Sequence, residues 1–347
     1  MDKGGWKSKW AESGLPKSTR RLDPVPTLPP SLTPKRSRKV YQNSMFIPVG
    51  FEKQSIATSL GRIAYYTPQQ TFWKNIENID NPKTLVFIHG FGGGSSAYEW
   101  SKVYPAFVPN YRVLAPDLIG WGRSEHPERD YQINDYLTSI TEFIEKTGNA
   151  PVTVIASSLT AAMTIRAAIA RPDLFESLIL TNPSGLSDFG DDYTRNFFAQ
   201  LIRTPILDRV VYNTAIATPQ GISAFLEQRQ FAQPNRIYPE IIEAYLTSAT
   251  QPNAEYAALA FVRGDLCFDL SLYIPQLTTP TAILWGEKAQ FTSPETGKRL
   301  ANLNPEAIRS FQILEDVGLT PQLELPAVTI ALIEQYVRSL SPDRATV

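Results

Sequence analysis

Ser158 stands in a pattern that suits a nucleophilic serine. The apolar run Val152–Ser157 precedes it and the small-residue run Leu159–Ala170 follows, so we expect it at a corner between a buried strand and a helix. Such a corner exposes the hydroxyl and crowds the residues two before and two after, where glycine is usual. Here they are Ala156 and Thr160, and the β-branched threonine predicts a displaced helix or a relaxed turn. Alone, the pattern is equally that of an ordinary helix N-cap.

Two further segments place glycine-rich turns after apolar strands. Residues 89–94, His-Gly-Phe-Gly-Gly-Gly, follow the run Leu85–Ile88 and can present backbone amides to a developing negative charge. A phosphate-binding loop is the alternative, but the Lys-Ser/Thr ending of that motif is absent. Residues 117–124, Asp-Leu-Ile-Gly-Trp-Gly-Arg-Ser, form a tight turn after the next strand.

In this order and spacing, the three segments resemble the α/β-hydrolase superfamily, in the branch of epoxide hydrolases, haloalkane dehalogenases and C–C bond hydrolases. The resemblance covers residues 45–340. It implies that Ser158 is the nucleophile and that the backbone amides of Phe91 and Leu159 form the oxyanion hole.

The resemblance fails at the other two members of a Ser-His-Asp triad. After the seventh strand the family typically reads Trp-Gly-x-x-Asp, whereas residues 285–289 read Trp-Gly-Glu-Lys-Ala. Near the C-terminus the family has Gly-His, then Pro and Glu-x-Pro, whereas residues 318–326 read Gly-Leu-Thr-Pro-Gln-Leu-Glu-Leu-Pro. Ala289 and Leu319 therefore stand at the positions of the acid and the histidine.

The histidine count supports this interpretation. The chain has 2 histidines, His89 in the early loop and His126 just after the Gly-rich turn, so the late loop cannot supply one. A serine hydroxyl is a poor nucleophile without an adjacent base, and the base needs an acid to orient it. Loss of triad members lowers turnover by roughly four to six powers of ten.

Carboxylates elsewhere are candidate substitutes for the missing groups. They are Glu287, Glu315 and Asp316 beside the late loops, and Asp188, Asp191 and Asp192 after the sixth strand. A carboxylate of ordinary acidity is a weak base for an alcohol unless burial raises its pKa. His126 could swing toward the pocket, but a surface-loop position is the expectation.

The elements that position these residues alternate between apolar strands and amphipathic helices, which predicts an α/β fold with a mostly parallel eight-stranded sheet flanked by helices. The predicted strands are Met45–Val49, Ser59–Tyr66, Thr84–His89, Tyr111–Pro116, Val152–Ser157, Leu178–Asn182, Thr281–Trp285 and Ser310–Leu314. The predicted helices include Ile133–Thr147, Leu159–Ala170 and Pro326–Leu340. Residues 186–264 lack strand patterns and predict a helical lid inserted between two core parts, residues 45–185 and 265–347.

Residues 1–44 form a basic, proline-rich stretch for which we expect disorder. Residues 1–40 hold 10 Lys or Arg against 3 acids, although the whole chain has a net charge of −1. This tail is either simply solvated or a peripheral contact for an anionic membrane. Nucleic-acid binding is not expected, because the rest of the chain is acidic and would repel phosphates.

The composition is that of a soluble globular protein. No run of apolar residues is long enough to span a membrane, and a single cysteine, Cys267, precludes an internal disulfide and fits a reducing compartment. We expect a cytoplasmic location, with an organelle stroma or a membrane surface as the alternative, and no metal or cofactor. Three functions follow. The first is a non-catalytic or severely impaired homologue that binds a small apolar ligand or a protein partner, and the second is an active hydrolase that uses Ser158 with a non-standard base on an apolar acyl substrate. The third is a surface-attached scaffold steered by the basic tail.

Overall fold

The computed structural model describes residues 46–73, 82–147, 150–191 and 207–340. The predicted basic tail, residues 1–44, lies outside the described residues, as does part of the predicted lid. Within the described ranges, no helix combines the length and the apolar character needed to cross a membrane.

One sheet of eight strands, in the order β1-β2-β4-β3-β5-β6-β7-β8, forms the centre of the fold. The strands are β1 Phe51–Thr58, β2 Gly61–Pro68, β3 Thr84–Ile88, β4 Arg112–Pro116, β5 Val152–Ser157, β6 Phe175–Thr181, β7 Thr281–Gly286 and β8 Ile308–Leu314. β2 runs antiparallel to β1 and to β4, and every other pairing is parallel. The predicted fold class is confirmed.

Helices cover both faces of the sheet. Those described are α1 Ile133–Thr147, α2 Ser158–Ala170, α3 Leu207–Val211, α4 Pro219–Phe225, α5 Pro239–Ala249, α6 Ala254–Arg263, α7 Pro294–Ala301, α8 Pro321–Glu324 and α9 Pro326–Leu340. Two π-helical turns, Tyr212–Ile216 and Leu226–Gln230, extend α3 and α4. The helices α3 to α6 lie between β6 and β7, in the segment for which a lid was predicted.

The alternation of side chains along the strands builds two apolar layers. In β3, Val86 and Ile88 join one core cluster, while Leu85 and Phe87 join the cluster on the opposite face. All five residues of β3 are buried, as expected for a central strand covered on both sides. The first layer packs against α1 and α2, and the second packs against α9 and the turns at residues 97–107.

The predicted first strand, Met45–Val49, is wrong. Phe46 to Gly50 form turns and bends, and β1 begins at Phe51. The sequence of β1, Phe-Glu-Lys-Gln-Ser-Ile-Ala-Thr, leaves most of its side chains exposed or half-buried, because β1 is an edge strand. An edge strand needs few apolar residues, so it gave a weak hydrophobic signal.

The carboxyl ends of β3 to β8 meet at one edge of the sheet because these strands are parallel, and the loops that follow them meet there. Two of these loops touch backbone to backbone. A Cβ built on Gly286, at the end of β7, would overlap the carbonyl oxygen of Gly318, in the loop after β8. Gly286 therefore permits an approach that no other residue allows.

We expect Gly286→Ala to lower the free energy of unfolding by about 3 kcal/mol, because the new methyl would overlap backbone that cannot yield without separating the loops. Urea unfolding followed by circular dichroism measures the change. Gly93→Ala is the matched control: its Cβ would meet only the Ile216 methyl at 3.4 Å, so a near-neutral effect is expected. Equal effects of the two substitutions would contradict the assignment.

Candidate active site

The turn from β5 into α2 has the geometry of a nucleophile elbow. Ser157 ends the strand in an extended conformation and Ser158 begins the helix with a φ of 58°, a left-handed value that is strained for a serine. The Ser158 side chain lies at the carboxyl edge of the sheet and the residue is 5% exposed. Among the described residues, no side chain forms a hydrogen bond with its hydroxyl.

Thr160 fits this tight turn instead of relaxing it. Its hydroxyl lies 2.7 Å from the carbonyl oxygen of Ser157 and 2.6 Å from that of His89, so these two acceptors share its single proton. The hydroxyl thus ties the first turn of α2 to the end of β3. The turn is not relaxed, since Ser158 keeps its strained φ, and the polar branch of threonine finds acceptors at the position where glycine is usual. The displaced helix stays a prediction.

The glycine-rich loop after β3 passes beside Ser158. A Cβ built on Gly90 would lie 3.5 Å from the Ser158 Cβ, so the loop backbone is close to the hydroxyl. The Phe91 ring is buried and stacks on Trp121 at 4.8 Å, so the ring is part of the core. The Leu159 amide is in the first turn of α2, where helix amides have no intrahelical acceptor. A role for the Phe91 and Leu159 amides as an oxyanion hole stays a prediction.

His89 is engaged through both ring nitrogens. The Leu118 amide donates to Nε2 at 3.0 Å, so the ring proton is on Nδ1, which donates to the Gly90 carbonyl oxygen at 2.7 Å. Complete burial lowers the pKa of His89 to about 4, so the ring is neutral at pH 7. His89 therefore fastens the loop to the turn after β4 and has no nitrogen available as a base.

His126 lies in the turn after β4, on the side of α6. Its carbonyl oxygen accepts a hydrogen bond of 3.3 Å from Asn253, which precedes α6. Burial lowers the pKa of its ring to about 4. No hydrogen bond joins the His126 ring to Ser158 within the described ranges.

Ala289 occupies the tight turn that follows β7. Its amide donates to the Gly286 carbonyl oxygen at 3.1 Å, and its methyl group packs against the larger core cluster. The neighbouring Lys288 amide donates to the Val317 carbonyl oxygen at 2.8 Å, which attaches this turn to the loop after β8.

Leu319 is buried in the loop after β8, at 3% exposure. Its amide donates to the Gln230 carbonyl oxygen at 2.7 Å, and its own carbonyl oxygen accepts from the Asn182 side chain at 2.9 Å. Farther along the same loop, the Gln322 amide nitrogen lies 3.5 Å from the Ser157 hydroxyl oxygen. The loop that carries Leu319 thus reaches the elbow.

Asn182 was missed in the sequence, where it follows β6 without a recognisable motif. Its backbone has a φ of 48°, and its side-chain oxygen accepts from the Gly286 amide at 2.8 Å while its nitrogen donates to Leu319. Asn182 therefore joins the turn after β7 to the loop after β8. The buried Glu324 adds a second tie, accepting from the Gly318 amide at 2.7 Å and the Ala232 amide at 2.9 Å.

Glu99 was also missed, because one acid in a turn gives no signal of burial. The residue is 1% exposed, and its carboxylate accepts from the Gly90 amide at 2.9 Å and from the Tyr245 hydroxyl at 3.0 Å. Burial raises its pKa, and the hydrogen bonds oppose that shift. The Cβ position of Gly90 lies 3.5 Å from both the carboxylate and the Ser158 Cβ, so Glu99 and Ser158 flank this glycine.

The described carboxylates that the sequence offers as substitutes for the missing triad groups are poorly suited to act as a base for Ser158. Glu287 and Asp316 are at the surface, and hydrogen bonds and nearby cations lower the pKa of each. Asp188 is buried, but it accepts from the Ser184 hydroxyl and from two backbone amides, so it stabilises the segment after β6. Asp192 lies outside the described residues. No cluster of possible metal ligands occurs in the described part of the chain.

A cavity of about 630 Å³ lies between the helices that follow β6 and the loops after β3 and β7. Its lining residues in the described ranges are Gly93, Ala215, Ile216, Gly221, Ile222, Ala224, Phe225, Gln228, Arg229, Ala258, Phe261, Val262, Gln290 and Phe291. Ser158 is not among them. The cavity is therefore adjacent to the loop beside the elbow and is not centred on the serine.

The chain is similar in sequence to known hydrolases. The sequence model for the alpha/beta hydrolase fold matches residues 83–318. Lipase 1 of Psychrobacter immobilis is 25% identical over 253 residues, which cover 69% of this chain and 72% of the lipase. A haloalkane dehalogenase of Bradyrhizobium diazoefficiens is 24% identical over 237 residues, which cover 62% of this chain and 75% of the dehalogenase.

Solved structures agree on the fold. The epoxide hydrolase CorEH superposes with a TM-score of 0.67 at 20% identity, over 84% of this chain and 99% of the hydrolase. The carboxylesterase CesB of Bacillus subtilis superposes with a TM-score of 0.66 at 15% identity, over 88% of this chain and 98% of the esterase. With the sheet order, the elbow and the family match, these similarities lead to one conclusion: the chain belongs to the α/β-hydrolase fold family.

Proposed function

We propose that this chain is a non-catalytic or severely impaired member of the family that binds a small apolar ligand. One observation carries the proposal: Ser158 stands in a strained elbow with no proton acceptor on its hydroxyl among the described residues. Leu319 holds the position where the family has histidine, and Ala289 that of the acid. Both ring nitrogens of His89 are engaged elsewhere, and no hydrogen bond joins the His126 ring to Ser158 within the described residues.

The absence of a base and an acid beside Ser158 greatly lowers the expected rate of hydrolysis. A serine hydroxyl must lose its proton as it attacks. Without a base and the acid that orients it, an oxyanion hole and substrate binding accelerate the reaction only about 10³- to 10⁴-fold over the rate in water. Stability does not require the missing pair, since replacing a buried ionic pair by apolar groups is often neutral or stabilising. The fold can therefore persist as a binding protein.

The cavity favours a small ligand over a protein partner as the bound species. Its volume of about 630 Å³ lies within the usual range for small-molecule sites. Most of its lining is apolar, with Phe225, Phe261 and Phe291 as the largest members.

Restoration of the triad tests the loss of catalysis. We expect Ala289→Asp combined with Leu319→His to raise the hydrolysis of p-nitrophenyl butyrate by at least about 10²-fold, because general-base assistance contributes about 10²–10⁴. Wild type should react neither with that ester nor with a fluorophosphonate probe. Both reactions are measured on protein whose folding is checked by thermal unfolding.

Two controls make the result specific. Ala289→Asn with Leu319→His keeps the size of the acid but not its charge, so little of the gain should appear. Ser158→Ala in the restored background should abolish the gain. Turnover by wild type near the typical enzyme value of about 10 s⁻¹, with probe labelling that Ser158→Ala removes, would refute the proposal.

The second candidate, an active hydrolase with a non-standard base, rests on Glu99. This carboxylate has the raised pKa that a base for an alcohol needs, and only Gly90 separates it from Ser158. Against this role, both of its oxygens already accept hydrogen bonds, from the Gly90 amide and the Tyr245 hydroxyl.

Under the second candidate, wild-type ester hydrolysis rises with pH as Glu99 loses its proton, and Glu99→Gln removes at least about 10²-fold of the rate. Glu324→Gln is the control, since Glu324 is another buried carboxylate with a raised pKa, and its partners are Gly318, Ala232 and Arg236. Initial rates between pH 5 and pH 9 measure both effects. If the rate of ester hydrolysis does not change between pH 5 and pH 9, and Glu99→Gln leaves it unchanged, Glu99 is not the base.

A further inference from the structure

The cavity between the inserted helices has a continuous apolar interior. Ile222, Ala258 and Phe261 are each less than 5% exposed. The Phe291 ring lies 6.3 Å from the rings of both Phe225 and Phe261, so three aromatic side chains form one wall. This interior suits an apolar group that avoids water.

The polar lining residues lie at the mouth of the same cavity. Gln228, Arg229 and Gln290 are exposed, in contrast to the buried interior. The π-helical turn Leu226–Gln230 produces this arrangement, because it buries its first and last residues and leaves the three between them exposed. A cavity with an apolar interior and a polar mouth fits an amphiphile that enters with its apolar end first.

Arg229 differs from the other described arginines of the inserted segment. Arg209 stacks on Tyr256, and Arg263 pairs with Asp208 and Asp265. Arg236 pairs with two acids of the loop after β8. Within residues 207–340 and the other described ranges, Arg229 has neither an ion pair nor a hydrogen bond, and no acid lines the cavity.

Building on the proposed binding function, we propose that the cavity takes an apolar chain that ends in a carboxylate, with the chain in the aromatic interior and the carboxylate on Arg229. A guanidinium offers a planar pair of donors that matches the two oxygens of a carboxylate. One arginine balances one negative charge. The amides of Gln228 and Gln290 flank the same mouth and supply further donors.

Calorimetric titration of the full chain with decanoate, decanol and decyltrimethylammonium tests this assignment. We expect wild type to bind decanoate at least tenfold more tightly than decyltrimethylammonium. Affinity should rise about fourfold for each methylene added between octanoate and decanoate. Arg229→Gln should weaken decanoate binding about tenfold and leave decanol binding unchanged.

Two further variants distinguish the contribution of the Arg229 charge to binding from that of the apolar interior. Arg309→Gln, at an exposed arginine on β8 that does not line the cavity, should change nothing. Ala258→Phe, which adds a ring to the buried interior, should weaken decanoate and decanol alike, with folding checked by near-ultraviolet circular dichroism.

Equal affinity of wild type and Arg229→Gln for decanoate would overturn the inference, as would failure of wild type to bind either decanoate or decanol. Ester hydrolysis measured on the same samples reports separately on the proposed loss of catalysis. A protein that hydrolyses esters yet binds decanoate through Arg229 would refute only the proposed function, and an inert protein that ignores decanoate would refute only this inference.

Discussion

The side chain of Asn182 holds together the loops on which the candidate site depends. Its oxygen accepts from the end of β7 and its nitrogen donates to the loop after β8, while Gly286 and Gly318 allow these segments to touch. The hydrogen bonds of this arrangement are made by backbone atoms and by the side chains of Asn182, Glu287 and Glu324. Ala289 and Leu319, which the two loops present, form hydrogen bonds through their backbones only, while the Ala289 methyl packs against the core and the Leu319 side chain is buried.

This division explains how a site can change its chemistry without losing its shape. The Glu324 carboxylate and the Gln230 carbonyl oxygen hold the loop after β8 by hydrogen bonds that do not involve the side chain at position 319. On the other side of the elbow, the His89 ring joins the loop after β3 to the turn after β4. The Thr160 hydroxyl joins the same loop to the end of β5. Histidine here serves as a neutral hydrogen-bonding group, so the presence of the residue type alone says nothing about proton transfer.

Much of the fold could be predicted from the sequence, because strands such as β3, β5 and β7 are buried apolar runs with abrupt ends. The edge strand β1 could not, because it needs little apolar surface. The elbow and the glycine-rich loop were recognisable because tight turns demand particular local residues. Asn182 and Glu99 were not, since their importance comes from partners far away in the chain and from burial, which a local pattern does not encode.

The contact between Gly92 and Phe225 has a consequence for what the cavity can accommodate. A Cβ on Gly92 would lie 2.8 Å from the Phe225 ring, and that ring also lines the cavity. A side chain at position 92 would therefore displace the Phe225 ring and change the wall of the cavity. The absence of a side chain at one position of the loop beside the elbow is therefore a condition for the present packing of the Phe225 ring.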